Sequence, residues 1–427
     1  MGNNLLNVWS TVGSVALAVL MLLVMITVHE FGHYIAGKIL RFKIDEFSIG
    51  FGPALFKHRN KKSGELFALR LIPLGGYCAF AGEDGLEEKE GKKQEEPFGE
   101  LKEEASGQIE PFPAEEKKET DKSGYFTRKK PWQRIIVLLA GAFMNYVLAV
   151  LLIITCFFAY GQTMVAVYEI NPTDEFAKEF CLHDRDIFYK VNGKNIYMQT
   201  DVARVLNGKK KGDFVNFELS RIVDRQTEID GETGEEVEVK VVRERMTVRI
   251  MLRSDVTVKN SSDLNSVWDA LGVAYKTQYD NEGNETGKYY QLANGVAKFG
   301  FFETIGRAFA YSGKIAGSIF RVLGELLTGK IGISSLGGPV TTITTTSKIV
   351  SMGFRYFLEI AGFIGVNLAV FNLLPIPALD GSKVVFTLIE WVRGKPISRK
   401  VEAIIHGVGF ILLLGFAVLV DILQFVL

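Results

Sequence analysis

The chain has 427 residues, enough for two or three domains, and its 49 basic and 49 acidic residues cancel, which excludes capture of nucleic acid by bulk charge. A mean hydropathy of +0.15 and 31 phenylalanines argue against an ordinary soluble composition. Three scattered cysteines, Cys78, Cys156 and Cys181, with no CxxC among them, exclude a disulfide framework and a cysteine-built zinc site.

The first element is an apolar stretch from Val12 to Leu40. It is too long for a signal peptide, no basic residue precedes it, and no small-residue cleavage site comes before its histidines. It reads as a spanning helix, for which about 20 mostly apolar residues suffice. Its second half carries "TVHEFGHYIAG", Thr27 to Gly37. Ionisable groups inside such a run are costly, and by default they mark a functional site.

Residues 48–77 read as short apolar strands separated by a polar, Gly-containing turn. Residues 83–122 are charge-dense and Pro/Gly-punctuated without apolar periodicity, the composition of a disordered linker. A second span is expected over Ile135–Tyr160. Residues 163–255 alternate β-like runs with turns and read as a small globular domain, with a hairpin or charged excursion at 225–250. Thr304 to Leu327 has apolar residues at helical spacing with Arg307, Lys314, Arg321 and Glu325 interleaved, which suits a helix lying in the membrane interface. Third and fourth spans are expected over Phe357–Leu374 and Ala403–Val420. Basic residues concentrate after span one, before span two and between spans three and four, so those segments are expected to be cytoplasmic.

His29-Glu30-Phe31-Gly32-His33 is H-E-x-x-H. Residues four apart share a helix face, so both imidazoles can hold one zinc ion, with Glu30 beside them as general base. A catalytic zinc takes three protein ligands and water. Span three ends in "NLLPIPALDGSK", Asn372 to Lys383, where Pro375 and Pro377 break the helix. Broken backbone at membrane depth is tolerated where it lines protein or a cavity. Asp380, just past that break, is the candidate third ligand, or else a solvated helix cap; His406, at the start of span four, is the rival. His58 and His183 lie in polar segments and suggest no role.

With "HEFGH" at 29–33, "GFGP" at 50–53, "GAFMN" at 141–145, "LGGP" at 336–339 and "NLLPIPALDG" at 372–381, the sequence resembles the site-two protease family of intramembrane zinc metalloproteases, in particular its RseP/RasP-type bacterial branch. The resemblance implies Zn2+ as cofactor, His29, His33 and Asp380 as its ligands and Glu30 as catalytic acid/base. It implies that Asn372, Asn367 and the "GFGP" residues Gly50, Phe51, Gly52 and Pro53 hold the substrate, the last four as a re-entrant β-hairpin that takes it as an added strand. It also implies that the outer domain is PDZ-like. Where such a domain usually has glycines, "FCLHDRD" at 180–186 has Cys181 and Arg185, and a single PDZ-sized unit fits the chain.

The expected fold is therefore a polytopic α-helical membrane protein with four transmembrane helices, a re-entrant β-hairpin and an extracytoplasmic PDZ-like α+β domain. Its parts are residues 1–45, the first span with HExxH; 46–82, the hairpin; 83–124, a charged cytoplasmic linker; and 125–162, the second span. Then come 163–300, the PDZ-like domain with an extension; 301–355, the interfacial helix and LGGP segment; 356–382, the third span with LDG; 383–402, a cytoplasmic loop; and 403–427, the fourth span. The expected activity is intramembrane cleavage of single-span membrane proteins in the cell membrane, with the catalytic site toward the cytoplasm. Pre-trimmed anti-sigma factors and remnant signal peptides are the expected substrates, an upstream protease and the lipid bilayer the partners, and no nucleic acid. The alternatives are a membrane-anchored cytoplasmic metalloprotease and a non-catalytic scaffold or ion transporter, for which Glu30 would have no use.

Overall fold

The computed structural model describes residues 2–83, 122–171, 179–229, 236–279, 283–333 and 336–426. Residues 84–121, nearly all of the expected linker, lie outside the described residues. In chain order the helices are α1 (Gly2–Ile39), α2 (Pro131–Tyr160), α3 (Gln199–Leu206), α4 (Asn265–Leu271), α5 (Phe301–Leu327), α6 (Pro339–Ser351), α7 (Phe354–Leu373), α8 (Asp380–Arg393) and α9 (Arg399–Val426). Among the described residues, stretches of α1, α2, α7 and α9 are long and apolar enough to cross a membrane: Gly13–Ile39, Pro131–Tyr160, Phe354–Leu373 and Lys400–Gln424. The strands are β1 (Ile44–Arg59), β2 (Leu66–Phe80), β3 (Gln162–Val167), β4 (Ile187–Val191), β5 (Lys194–Asn195), β6 (Phe214–Ile229), β7 (Glu236–Met251), β8 (Tyr275–Tyr279), β9 (Glu285–Tyr290) and β10 (Leu292–Ala297).

The chain forms two compact units. The first comprises Ala16–Leu148 and Leu368–Phe416. Here α1 and α2 approach so closely that Gly32 is needed, because a Cβ there would meet the Ala140 carbonyl. After α1, β1 and β2 pair antiparallel from Ile44↔Phe80 to Arg59↔Leu66, with a turn at 60–65 in which Asn60 Oδ1 accepts the Lys62 N–H. The strands are longer than the sequence suggests. The pattern is interrupted at Gly50 and Gly52, which sit at φ +83° and +82° where the register shifts. The hairpin exposes Phe51, Leu55, Phe56, Leu69, Leu71 and Ile72. Its base is closed by the T-shaped and tilted ring contacts of Phe42, Phe80 and Phe126. The segment 383–402, expected as a loop, holds α8 as far as Arg393. Glu390 turns inward there to pair with Arg134 of α2 at 2.7 Å, and both side chains are buried. A lone glutamate in a charged stretch gives no hint of that partner.

The second unit comprises Met1–Val15, Ala149–Asn367 and Ala417–Leu427. Its sheet runs β10-β3-β4-β6-β7, with β5 added to β4. Of the charged excursion expected at 225–250, residues 225–229 end β6 and 236–250 are nearly all of β7, paired antiparallel, while 230–235 lie outside the described residues. Alternate apolar residues of the strands pack with α3 and α4 into one core around Phe188, Phe217, Leu206, Val267 and Trp268.

The polar side of α5 bonds to this domain. Arg307, buried, donates to Gln162 Oε1 at 2.5 Å and to the Ile196 carbonyl at 3.3 Å, and it lies over the Tyr197 and Phe299 rings. Lys314 reaches Asp201 at 2.6 Å, and Glu325 accepts from the Ser261 N–H and hydroxyl. The opposite side exposes Phe302, Phe309, Phe320 and Leu327. Arg307→Met keeps the apolar stem but strands Gln162 and a buried carbonyl, at a cost of about 1–3 kcal/mol. The expected result is a lower thermal midpoint for the purified protein. An unchanged midpoint would mean that the buried guanidinium does not hold α5 to the sheet.

The LGGP segment is explained in the same unit. Asp421 of α9 accepts the Val340 and Thr341 N–H groups at 3.0 and 3.1 Å at the start of α6. A side chain on Gly338 would occupy the space of that carboxylate.

Candidate metal centre

His29 and His33 lie one turn apart on α1 with their rings nearly perpendicular, at a centroid separation of 4.7 Å. Both residues are buried. Asp380 Oδ2 lies 2.9 Å from His29 Nε2 and 3.2 Å from His33 Nε2, and the two Nε2 atoms are 3.1 Å apart. Among the described residues, this is the one group of three potential metal ligands that converges.

The chemistry of the donors fits a cation between them. His33 Nδ1 is 2.8 Å from the Val137 carbonyl, an acceptor, so Nδ1 carries the proton and Nε2 presents a lone pair. His29 Nδ1 has the amides of Asn372 and Asn145 at 3.3 and 3.5 Å. Asn145 Oδ1 is buried without a partner. With the oxygen and nitrogen of both amides exchanged, His29 Nδ1–H donates to them, and the Asn145 NH2 then takes the unpartnered place. His29 Nε2 is then also a lone pair. Two imine nitrogens and a carboxylate oxygen in mutual contact repel one another unless a positive charge lies among them. Ligand atoms held tetrahedrally at about 2.0–2.1 Å from zinc lie about 3.3 Å apart, close to the separations here.

Local sequence explains how each group arrives. Gly141 of α2 faces both imidazoles, and a Cβ there would overlap them; Asn145, one turn on, is then level with His29. That accounts for two residues of "GAFMN". On the third side, α7 ends at Leu373, and Pro375 and Pro377 follow in a tight turn held by the Ile376 N–H to Leu374 O and the Leu379 N–H to Ile376 O bonds. Ala378 takes φ +76°, and Asp380 opens α8. Gly381 has to be glycine, since a Cβ would run into the Leu373 and Leu374 carbonyls.

Glu30 shares with His33, Asp380 and Lys383 a cavity of about 320 Å³, whose far wall is Tyr77 to Phe80 of β2. Gly76 lets β2 pair closely with β1, since a Cβ there would meet the Ser48 carbonyl at 2.8 Å, and it faces the Glu30 stem at ordinary contact distance. Cys78 is also on this wall, but it is not one of the converging ligand atoms, and burial, followed by the nearby Glu30 carboxylate, pushes its thiol pKa well up. Lys383 pairs with Glu83 at 2.8 Å.

The remaining sequence candidates are placed as follows. Asn372 lies against His29. Asn367 donates its amide to the Phe363 carbonyl of its own helix at 2.7 Å. Gly50 to Pro53 form the bulged part of β1, with Phe51 stacked on Tyr77; the hairpin residues that line the cavity belong to β2 instead. His406 is no ligand: its Nδ1 accepts the Ala378 N–H at 3.0 Å. His58 and His183 join no ligand cluster among the described residues. Sequence reasoning missed Val137, whose role is played by a backbone carbonyl, and the Gly75-Gly76 pair that brings β2 to the cavity.

A family model described as Peptidase family M50 matches residues 17–416. A Clostridium perfringens protein, named provisionally as a zinc metalloprotease, is 30% identical over 93% of this chain and 94% of its own length. Zinc metalloprotease RasP of Bacillus licheniformis is 27% identical over 91% and 94%, and the regulator of sigma E protease of Haemophilus influenzae 25% over 96% and 97%.

Proposed function

The chain belongs to peptidase family M50, the site-two proteases, and on that premise we propose that it is a membrane zinc endopeptidase that cuts single-span membrane proteins within or beside the bilayer. The observation that carries the reading is the convergence of three lone-pair donors, with Glu30 in the same cavity, on a helix composed to cross a membrane.

His29, His33 and Asp380 hold Zn2+. The ion supplies Lewis-acid activation of water and of the scissile carbonyl. Glu30 takes the proton of the attacking water and returns it to the leaving amine. Val137 O and the Asn145 and Asn372 amides fix the imidazole tautomers and orientation. The apolar helices around the cavity exclude bulk water.

A helical substrate has first to unwind, and in lipid its freed N–H and C=O groups need partners. The β1–β2 hairpin, apolar on its exposed surface and lining the cavity through Tyr77 to Phe80, offers them by strand addition. The Gly50–Pro53 bulge and Asn367 belong to the same substrate-handling surface in this reading. Four spans place both termini in one compartment. The basic segments at 41–62, 128–134 and 383–400 are cytoplasmic and the PDZ-like domain extracytoplasmic, with α5 laying its Phe face on the membrane. The substrates are pre-trimmed anti-sigma factors or remnant signal peptides, prepared by an upstream protease.

The test uses the detergent-purified protein and tagged single-span substrates. Helix-weakening Gly or Pro near the cleavage site should speed cutting, because Gly costs a helix about 1 kcal/mol and Pro about 3. Equal rates for poly-Leu and Gly/Pro-containing spans would rule out unwinding onto the hairpin.

A further inference from the structure

We propose that His406 is a positioning residue for the metal centre: it holds the strained turn that presents Asp380. The proposal rests on the zinc-site reading above.

Asp380 reaches the two histidines from a backbone that would not by itself stay in place. Ala378, two residues before it, sits at φ +76°. This left-handed region is rarely adopted by an L-residue with a Cβ, and it persists only where the surroundings over-determine it. Two features of α9 do so. His406 Nδ1 accepts the Ala378 N–H at 3.0 Å. One turn on, Gly409 has no side chain where Pro377 packs, and a Cβ there would overlap the proline ring. The imidazole is itself held edge-on to the Phe386 ring of α8, with centroids 5.6 Å apart, so α8 and α9 grip the turn from both ends.

The tautomer follows. Since Nδ1 accepts, the neutral ring carries its proton on Nε2, which is buried and has no partner among the described residues. His406, Ala378, Lys383 and Arg134 line a second cavity of about 630 Å³, large enough for water to satisfy that N–H. A metal-ligand role for His406 is excluded by the use of its lone pair. The same lone pair makes it the group on which the ligand loop hangs.

The experiment measures zinc retention of the purified full-length protein against a chelator, alongside peptide-bond cleavage. His406→Phe keeps a ring against Phe386 but removes the acceptor. Loss of one hydrogen bond to the turn should speed zinc loss about three- to ten-fold. His406→Asn, whose Oδ1 can take the place of Nδ1, should stay within about two-fold of wild type. The decisive variant is His406→Phe combined with Ala378→Gly. Glycine adopts φ +76° without strain, so retention should return toward wild type, which repacking of α9 alone would not produce. If His406→Phe retains zinc like wild type, or if the double variant is as leaky as the single, the proposal is wrong. A His406→Phe chain that accumulates only in the Ala378→Gly background supports it; failure in both backgrounds overturns it. A wild-type protein without zinc would instead refute the zinc-site reading itself.

Discussion

Glu30→Gln should leave zinc bound at wild-type occupancy and reduce cleavage about 10²–10⁴-fold, the range typical for an oriented general base. Glu30 is not one of the three convergent ligand atoms, yet it lines the same cavity as His33 and Asp380. Glutamine has the same length and no basic oxygen. The packing of Gly76 against the Glu30 stem is preserved, so the β2 wall should not move. Metal analysis and single-turnover cleavage on the same preparation separate the roles. Zinc loss in the variant would make Glu30 a ligand; full activity would remove it from the chemistry. The result also decides against a scaffold or transporter, which has no use for a base between two ligands.

Gly141→Ala should abolish zinc binding, although it is a methyl group added to a helix. In a helix interior the change is ordinarily stabilising by about 1 kcal/mol. Here the new Cβ would enter the space of both imidazoles. The rings cannot retreat, because His33 is tied to the Val137 carbonyl and His29 is flanked by the Asn145 and Asn372 amides. The expected outcome is a protein that inserts and accumulates normally but is metal-free and inactive. Zinc binding at wild-type affinity would show that α2 does not set the back wall of the site.

Much of the metal centre is legible in the sequence. Two histidines four apart on an apolar helix can point only to one face, and an aspartate after two prolines advertises a broken span. The rest depends on groups with no sequence signature. Val137 contributes a backbone carbonyl, and any residue type could provide one. Gly141 looks like a packing glycine until its neighbours are known. Asn372 is expected to hold the substrate, and nothing in the sequence announces that its amide lies against His29 Nδ1. For the hairpin, the two glycines of "GFGP" attract attention, but they make a bulge; the strand beside Glu30 is β2, announced only by Gly75-Gly76. His406 could be weighed as a ligand from sequence, yet which lone pair it offers to what is a tertiary fact. The charges of α5 suggest a water-facing side, and they are instead used on the sheet domain, because Gln162, Asp201 and Ser261 are distant in sequence.

The most direct measurement is the zinc content of the purified wild-type protein and of Asp380→Ala, determined on the same membrane preparation. With three protein ligands and one open position, the wild type should carry about one zinc per chain. Asp380→Ala should carry essentially none, because the two histidines alone leave the ion half-liganded. A wild-type chain without zinc, or an Asp380→Ala chain with full occupancy, would contradict a metal held by His29, His33 and Asp380.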